Sequence, residues 1–337
     1  MEPSKLVIVT RLTRLEESIR RYNTRQQVKF YIESRGQSFD DYELEYENYQ
    51  RAREAVVRSI PPDLRFQIVD RSFLPNFLFS PDDLVLTLGQ DGLVVNAAKY
   101  LDGQSILAVN PDPARFDGVL LPFRSEQVLK AIQALRADRL ETHHISMARV
   151  DLNDGQFLHA FNDFFIGADG HISARYSVHY REQTERHSSS GIIVSTPAGS
   201  TGWLSSLYNM ASGIQRFVAG KEKPSGTNKA PANKAQKKDP ARKEDPPAET
   251  APHRLAWDER KLVFMVREPF RSQWSQADLV AGELRENESL RLESHMPERG
   301  IIFSDGMEAD FLEFNSGATA EITLARKTTN LLLPEHT

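Results

Sequence analysis

Cysteine is absent from the 337 residues, which removes disulfides, thiolate zinc sites, iron–sulfur clusters and cysteine nucleophiles together. Any chemistry must run on oxygen and nitrogen groups. Charge of one sign is also lacking: 42 Lys and Arg stand against 47 Asp and Glu, for a net −5, so no sweeping basic face for nucleic acid is expected. Long hydrophobic runs are missing as well. The first one, Leu6 to Val9, stops before Arg11 and Arg14, too short for a secretory signal, and reads as a first strand. The longest stretch free of charge, Ser188 to Gln215, carries Pro197, several glycines and many hydroxyl residues, unlike a membrane-spanning helix. Glu2, Glu16 and Glu17 fall where a mitochondrial transit peptide avoids acids. A cytoplasmic protein is therefore expected, with neither membrane nor nucleic acid as partner. The chain has no GxxxxGK[ST] and no GxGxxG, which argues against a P-loop NTPase and an ordinary Rossmann dehydrogenase.

What is present is enough for two domains: 39% hydrophobic and 26% charged residues over this length suit a soluble globular protein with a sizeable core. One segment stands apart. Residues 221–254 contain no Val, Ile, Leu, Met, Phe, Tyr or Trp and carry six of the 18 prolines, a composition that cannot bury a core and predicts a disordered insertion.

Ahead of that segment, apolar runs begin at Leu6, Phe66, Leu84, Ile106 and Val119 and are separated by helix-length stretches. That alternation predicts an N-terminal α/β domain over residues 1–138, Rossmann-like, with a mainly parallel sheet. Tyr42, Tyr46, Tyr49, Val56 and Ile60 recur at helical spacing, and Val128, Leu129, Ile132 and Leu135 form one apolar face of a helix started by Ser125. From Glu141 the pattern switches to two-residue alternation around an Asn153-Asp154-Gly155 hairpin turn. The predicted second domain is β-rich, made of stacked β-sheets from residues 139–220 and 255–325 with one helix near Ser200 to Met210. Residues 326–337 read as a C-terminal tail, although the last strand-like run is placed to return to the first domain.

Three strings carry chemistry. The run Leu84 to Leu88 ends in Gly89-Gln90-Asp91-Gly92 and passes into a helical stretch, and ligands of open α/β sheets bind at such strand ends. Glycines there let a phosphate approach the backbone and the first helical N–H groups. A carboxylate inside such a turn is repelled unless it holds Mg²⁺ or accepts a proton from an attacking hydroxyl; the plain alternative is a helix-capping Asp91. The second string, Ser195-Thr196-Pro197-Ala198-Gly199-Ser200-Thr201-Gly202-Trp203, offers hydroxyls, amides and an indole at one corner, or simply a capped helix start. The third is Asn162-Asp163, a polar pair interrupting the apolar run from His159 to Ile166. A hydroxylated ligand or a structural hydrogen-bonded partner equally satisfies such a pair.

In this order the three strings resemble the NAD kinase family, with its GGDGT turn, Asn-Glu or Asn-Asp pair and TPTGSTAY-like string. Val109-Asn110-Pro111-Asp112-Pro113-Ala114-Arg115-Phe116-Asp117-Gly118 resembles the NTDPxRSEG string of the mitochondrial branch, as do Ser188-Ser189-Ser190-Gly191, Val266-Arg267-Glu268-Pro269 and Ser304-Asp305-Gly306. The resemblance covers about residues 80 to 310. It implies an ATP-dependent phosphotransferase that moves a phosphoryl group to the 2′-hydroxyl of NAD. It also implies Asp91 as catalytic base, Gly89 and Gly92 at the phosphates, and Asn110 and Phe116 at the nucleotide. Asn162 and Asp163 would take the ribose and adenine side of NAD, and Thr196, Gly199, Ser200, Thr201 and Trp203 the dinucleotide. Mg²⁺ would come with ATP, no protein-held metal is expected, and a homo-oligomer is the expected assembly. Gln90, Leu93, Ser190 and Ala198 depart from the family pattern. Gln90 narrows the phosphate approach and Leu93 removes a hydroxyl, which motivates the rival reading of a non-catalytic NAD-sensing pseudokinase; a lipid kinase sharing the turn is the third.

Histidine offers little. His143 and His144 are adjacent and face opposite sides of a strand, while His171, His179 and His187 read as surface or core residues. No G-x-S-x-G elbow is present.

Overall fold

A computed structural model describes residues 2–220 and 255–334, so the insertion expected at residues 221–254 lies outside the described residues. Strand β1 (Lys5–Thr10) is sealed on both faces, with Leu6, Val7, Ile8 and Val9 all fully buried, as a central parallel strand requires. It pairs in parallel with β2 (Phe66–Asp70) and β3 (Asp83–Leu88); β3 pairs with β4 (Ser105–Asn110), and β4 with the short β5 (Phe123–Arg124). Between β1 and β2 lie α1 (Arg14–Tyr22), α2 (Arg25–Glu33) and α3 (Phe39–Arg58). A Thr13–Glu16 capping box starts α1, and α3 buries Tyr49, Ala52 and Val56 against the sheet with Ile60 packed beside them; of the expected stripe, Tyr42 and Tyr46 turn instead to a separate small core with Leu15, Val28, Ile32 and Phe39. Helices α4 (Asp91–Ala98) and α5 (Val128–Arg136) follow β3 and β5.

Val119 to Leu121, expected as a strand, is instead a turn entered through Gly118 at φ 63°. That positive φ breaks the extended run.

The second half begins with β6 (Glu141–Leu152) and β7 (Phe157–Ala160), joined as a hairpin with Gly155 at φ 90°. There follow β8 (Asp163–Ala168), β9 (Ala174–Tyr180), β10 (Gln183–Ser189), β11 (Ile192–Ser195) and α6 (Trp203–Val218). After residue 254 come β12 (Lys261–Val266), β13 (Ala281–Arg285), β14 (Ser289–Ser294), β15 (Gly300–Ser304), β16 (Met307–Glu313) and β17 (Thr319–Leu333). A six-stranded sheet has the order β13-β12-β11-β8-β15-β16. It stacks on the second sheet through Phe164, Phe264, Tyr176, Leu290 and Ile322. The stacked β arrangement is therefore as expected.

The other sheet has eleven strands and runs β10-β9-β14-β17-β4-β3-β1-β2, with β6 also on β17. Its continuity depends on β17, whose first half is antiparallel to β6 and β14 and whose end is parallel to β4 at Asn330 and Leu331. Residues 326–333, expected as a tail, thus form the second part of the strand that joins the antiparallel half to the parallel half. Leu331 and Leu332 are 0% and 1% exposed, and their burial is the physical reason the chain returns. Among the described residues no helix is long and apolar enough to cross a membrane.

Candidate functional site

Strand β3 delivers the chain to the turn, where Gly89 N–H donates to the Val109 carbonyl at 3.3 Å. A Cβ on Gly89 would stand 2.8 Å from Leu93 Cδ2, so packing favours glycine there. Gly92 has nothing within 4 Å of a Cβ; no protein contact requires it, and the space beside the first turn of α4 is open. Leu93 is 3% exposed and belongs to the core beneath the turn. Gln90 is exposed.

Asp91 is the first residue of α4, yet its carboxylate does not cap that helix. It accepts from Leu120 N at 2.8 Å and Val119 N at 3.3 Å, tying the turn to the loop after Gly118. A carboxylate has about four acceptor sites, so capacity for a substrate hydroxyl remains.

Asn110, expected at the nucleotide, is 4% exposed and hydrogen-bonded at both ends of its amide. Its Nδ2 donates to the Phe116 carbonyl at 2.9 Å and its Oδ1 accepts from Asp112 N at 3.0 Å. The side chain therefore shapes the loop between Asn110 and Phe116. Phe116, half-buried, lines a cavity of about 860 Å³ together with Gln90, Arg11 and Arg115.

The other two strings interlock. Ser195 pairs opposite Asp163 across β11 and β8, and Thr196 N donates to the Asn162 carbonyl at 2.8 Å. The Thr196 hydroxyl, with no exposed surface, donates to the Phe161 carbonyl and accepts from Gly199 N. A Cβ on Gly199 would lie 2.2 Å from the Asn162 oxygen, closer than any side chain tolerates. Ser200, 1% exposed, accepts from Leu255 N at 3.2 Å. Thr196, Gly199 and Ser200, expected against the dinucleotide, spend their groups on the protein because the string is pressed onto the Asn162 backbone. Thr201 is exposed. Trp203 is half-buried, stacked on Phe165 at 5.8 Å between centroids and 4° between planes, with the Arg267 guanidinium 5.2 Å from its ring.

Sequence reasoning gave Asp305 no role. At φ 57°, with Gly306 at φ 68°, it makes the tight turn between β15 and β16 that such Asp-Gly pairs favour. Its carboxylate accepts from the amides of Asn162 (2.6 Å), Phe161 (3.1 Å) and Asp163 (3.4 Å). The Ser304-Asp305-Gly306 string marked the turn, but nothing local says that the carboxylate reaches a loop more than 140 residues earlier. Asp163 is 8% exposed, and its carboxylate makes no hydrogen bond among the described residues. Burial first, then the Asp305 charge, pushes its pKa up to about 7. Burial also raises Asp305, to about 6, against the opposing pull of its amide donors.

Leu93, Val94 and Leu120 share one apolar core with Phe161, and Ala198 and Trp257 pack on it. The turn and the interlocked strings therefore flank a common core, although Asp91 bonds to neither Asn162 nor Asp163. A second cavity, about 1100 Å³, lies at the far end of α4 and includes His159 and Lys327 but none of the motif residues. Burial pushes His159 down to about 3. Among the described residues no group of three or more His, Asp or Glu is placed to hold a metal ion.

No family model matches the chain. A NAD kinase of Saccharolobus islandicus is 26% identical over 153 residues, which is 45% of this chain and 55% of that protein. The NAD kinase of Saccharolobus solfataricus is 25% identical over the same shares. The chain thus spans about half the length of the curated relatives it matches. Among solved structures, yeast NADH kinase complexed with NADH superposes with a TM-score of 0.54 at 14% identity, covering 98% of this chain and 84% of that one. An NAD kinase from Archaeoglobus fulgidus in complex with ATP gives 0.50 at 14%, covering 97% and 92%. The two structures carry the same pairing of an α/β half with a β-rich half.

Proposed function

Because the chain is a member of the NAD kinase family, similar in sequence over 45% of its length and in fold over nearly all of it, we propose that it transfers the γ-phosphoryl group of ATP to the 2′-hydroxyl of NAD. The observation that carries this reading is the turn itself: Asp91 stands between two glycines at the end of a buried parallel strand, with open space beside Gly92.

Phosphoryl transfer depends mainly on positioning and on charge stabilisation. The 2′-oxygen forms the new bond to the γ-phosphorus while the bond from that phosphorus to the β–γ bridging oxygen breaks and ADP leaves. Asp91 accepts the hydroxyl proton and passes it to solvent. Its two amide contacts fix the carboxylate before substrate arrives. Asn162 and Asp163 are held for the ribose by the Asp305 clamp, with the Asp163 carboxylate unspent. Trp203, Phe165 and Arg267 form a flat face beside them for an adenine or nicotinamide ring. Among the described residues those at the turn do not fit a protein-held Mg²⁺ site, so the ion would arrive on the triphosphate and offset its charge. Cytoplasmic location and homo-oligomeric assembly belong to the same proposal.

The test is Asp91→Asn. General-base contributions of about 10² to 10⁴ set the expected loss of NADP formation, with NAD affinity nearly unchanged. Full turnover in a folded Asp91→Asn protein refutes the role.

A further inference from the structure

The cavity of about 1100 Å³ at the far end of α4 is walled by β6, β7 and β17 and shares no residue with the glycine turn. Lys327 of β17 reaches across to the helix end, where its Nζ donates to the Lys99 carbonyl at 2.9 Å and the Leu101 carbonyl at 2.7 Å. A cation suits carbonyls left without partners at a helix C-terminus. An ammonium has three donors, so one N–H is left over. Among the described residues no carboxylate comes within ion-pair distance of Lys327. Burial pushes it down to about 8, with the exposed Asp102 pulling the other way only through space. Half-buried His159 of β7 lies edge-on to Phe157 at 5.6 Å, and neither of its ring nitrogens makes a hydrogen bond among the described residues. Burial, then the charges of Lys327 and Arg149, keep that ring neutral. Arg149 of β6 spends Nε and Nη2 on Asp151 at 2.7 and 2.6 Å, which leaves Nη1 without a partner among the described residues. The other charged groups of the wall are spent or outermost. Glu286 holds Arg260, Glu288 holds Arg181 and Lys99 holds Asp310, while Glu321 and Arg326 are exposed.

We propose that this cavity is a second ligand site, separate from the candidate catalytic turn, and that it takes a small phosphate monoester with its phosphate between His159, Lys327 and Arg149. Three unspent donors from three strands meet there, and a phosphate presents three strong acceptor oxygens. A neutral imidazole donates one N–H, the ammonium another and the guanidinium the third. The cavity has room for much more than a phosphate, and Phe157, 52% exposed, offers apolar surface to the organic part of the ligand. Two electrostatic consequences follow. A bound dianion offsets the two charges that keep His159 neutral, so occupancy raises the pKa of His159 toward its ordinary value. The ammonium must be charged to hold the anion, so affinity falls as pH rises past about 8.

Ring-proton NMR on the full chain tests the site, with the His159 signal identified by its loss in His159→Gln. Glucose 6-phosphate and inorganic phosphate are the probes, and sulfate, whose charge stays constant, serves for the pH series. Both phosphates should shift the His159 signal saturably and move its titration upward, with the sugar phosphate binding more tightly. Sulfate affinity should fall about 10-fold or more between about pH 6 and about pH 9.5, the loss expected for one charge-assisted hydrogen bond. Lys327→Met should weaken binding by a similar factor and flatten that profile. Because Lys327 also holds the end of α4, Arg149→Gln carries the test where Lys327→Met fails to fold, with binding weakened about 3- to 10-fold. A His159 signal that neither phosphate moves, or that moves equally in both variants, overturns the site. Inorganic phosphate binding more tightly than the sugar phosphate overturns the assignment to a monoester. NADP formation plays no part in these readings, so the site stands or falls apart from the phosphotransferase reading.

Discussion

Replacing Asp163 with Asn should stabilise the folded protein, and only above a definable pH. Asp163 is 8% exposed, its carboxylate has no hydrogen-bond donor among the described residues, and the Asp305 carboxylate acts on it electrostatically. Its pKa moves from 3.8 to about 7 on folding, roughly three units at 1.36 kcal/mol each, or about 4 kcal/mol. The sign follows from proton counting: between the two values the folded state holds a proton that the unfolded state has released. Stability therefore falls as pH rises from about 4 to about 7, and the full penalty applies above that. An isosteric amide carries no such penalty. Urea unfolding of wild type and Asp163→Asn at pH 4 and pH 8 should give nearly equal stabilities at the lower pH and a gap of about 2 to 4 kcal/mol in favour of the variant at the higher. An equal or destabilising effect at both values would show that Asp163 is charged and satisfied in the fold, and would overturn its description as an unspent carboxylate.

Asp305→Asn should move the titration of Asp163 toward acid, because it removes the neighbouring negative charge, and should lower stability by about 1 to 3 kcal/mol through weaker acceptance of the three amides; carboxyl NMR and urea melts read the two effects. Gly199→Ala places a methyl against the Asn162 oxygen and should cost on the order of 2 kcal/mol, so an unchanged urea midpoint contradicts the close approach. For Asp91→Asn, the loss of turnover should be accompanied by greater protease sensitivity around residues 118–121, because the loop loses a charged acceptor.

Much of the fold was legible because it depends on local pattern. Leu6 to Val9 is apolar without interruption and Leu84 to Leu88 is broken only by Thr87, the mark of strands buried on both faces, and the alternation after Glu141 marks strands covered on one. The Gly89-Gln90-Asp91-Gly92 turn was legible for the same reason, since a strand end, two glycines and a helix start are neighbours in the chain. Strand β10 escaped notice: Gln183 to Ser189 is almost wholly polar, and its buried His187 and Ser189 make sense only against β9. The sequence also could not tell which hydroxyls and amides were free. Thr196 and Asn110 have the right chemistry for a ligand, but the chain uses them on itself.

By itself, then, the sequence determined most of the strands and helices, which turn was suited to phosphate, and which residue types were available for chemistry, all of them properties of neighbours a few residues apart. Tertiary structure alone decided that the Asp305 carboxylate clamps the Asn162–Asp163 backbone, that β17 carries one sheet through both halves, and that Lys327 meets the end of α4. Each of these joins residues tens to hundreds of positions apart. Such contacts form because burying apolar surface brings the elements together, and the polar groups carried inward must then find whatever partners the packing supplies.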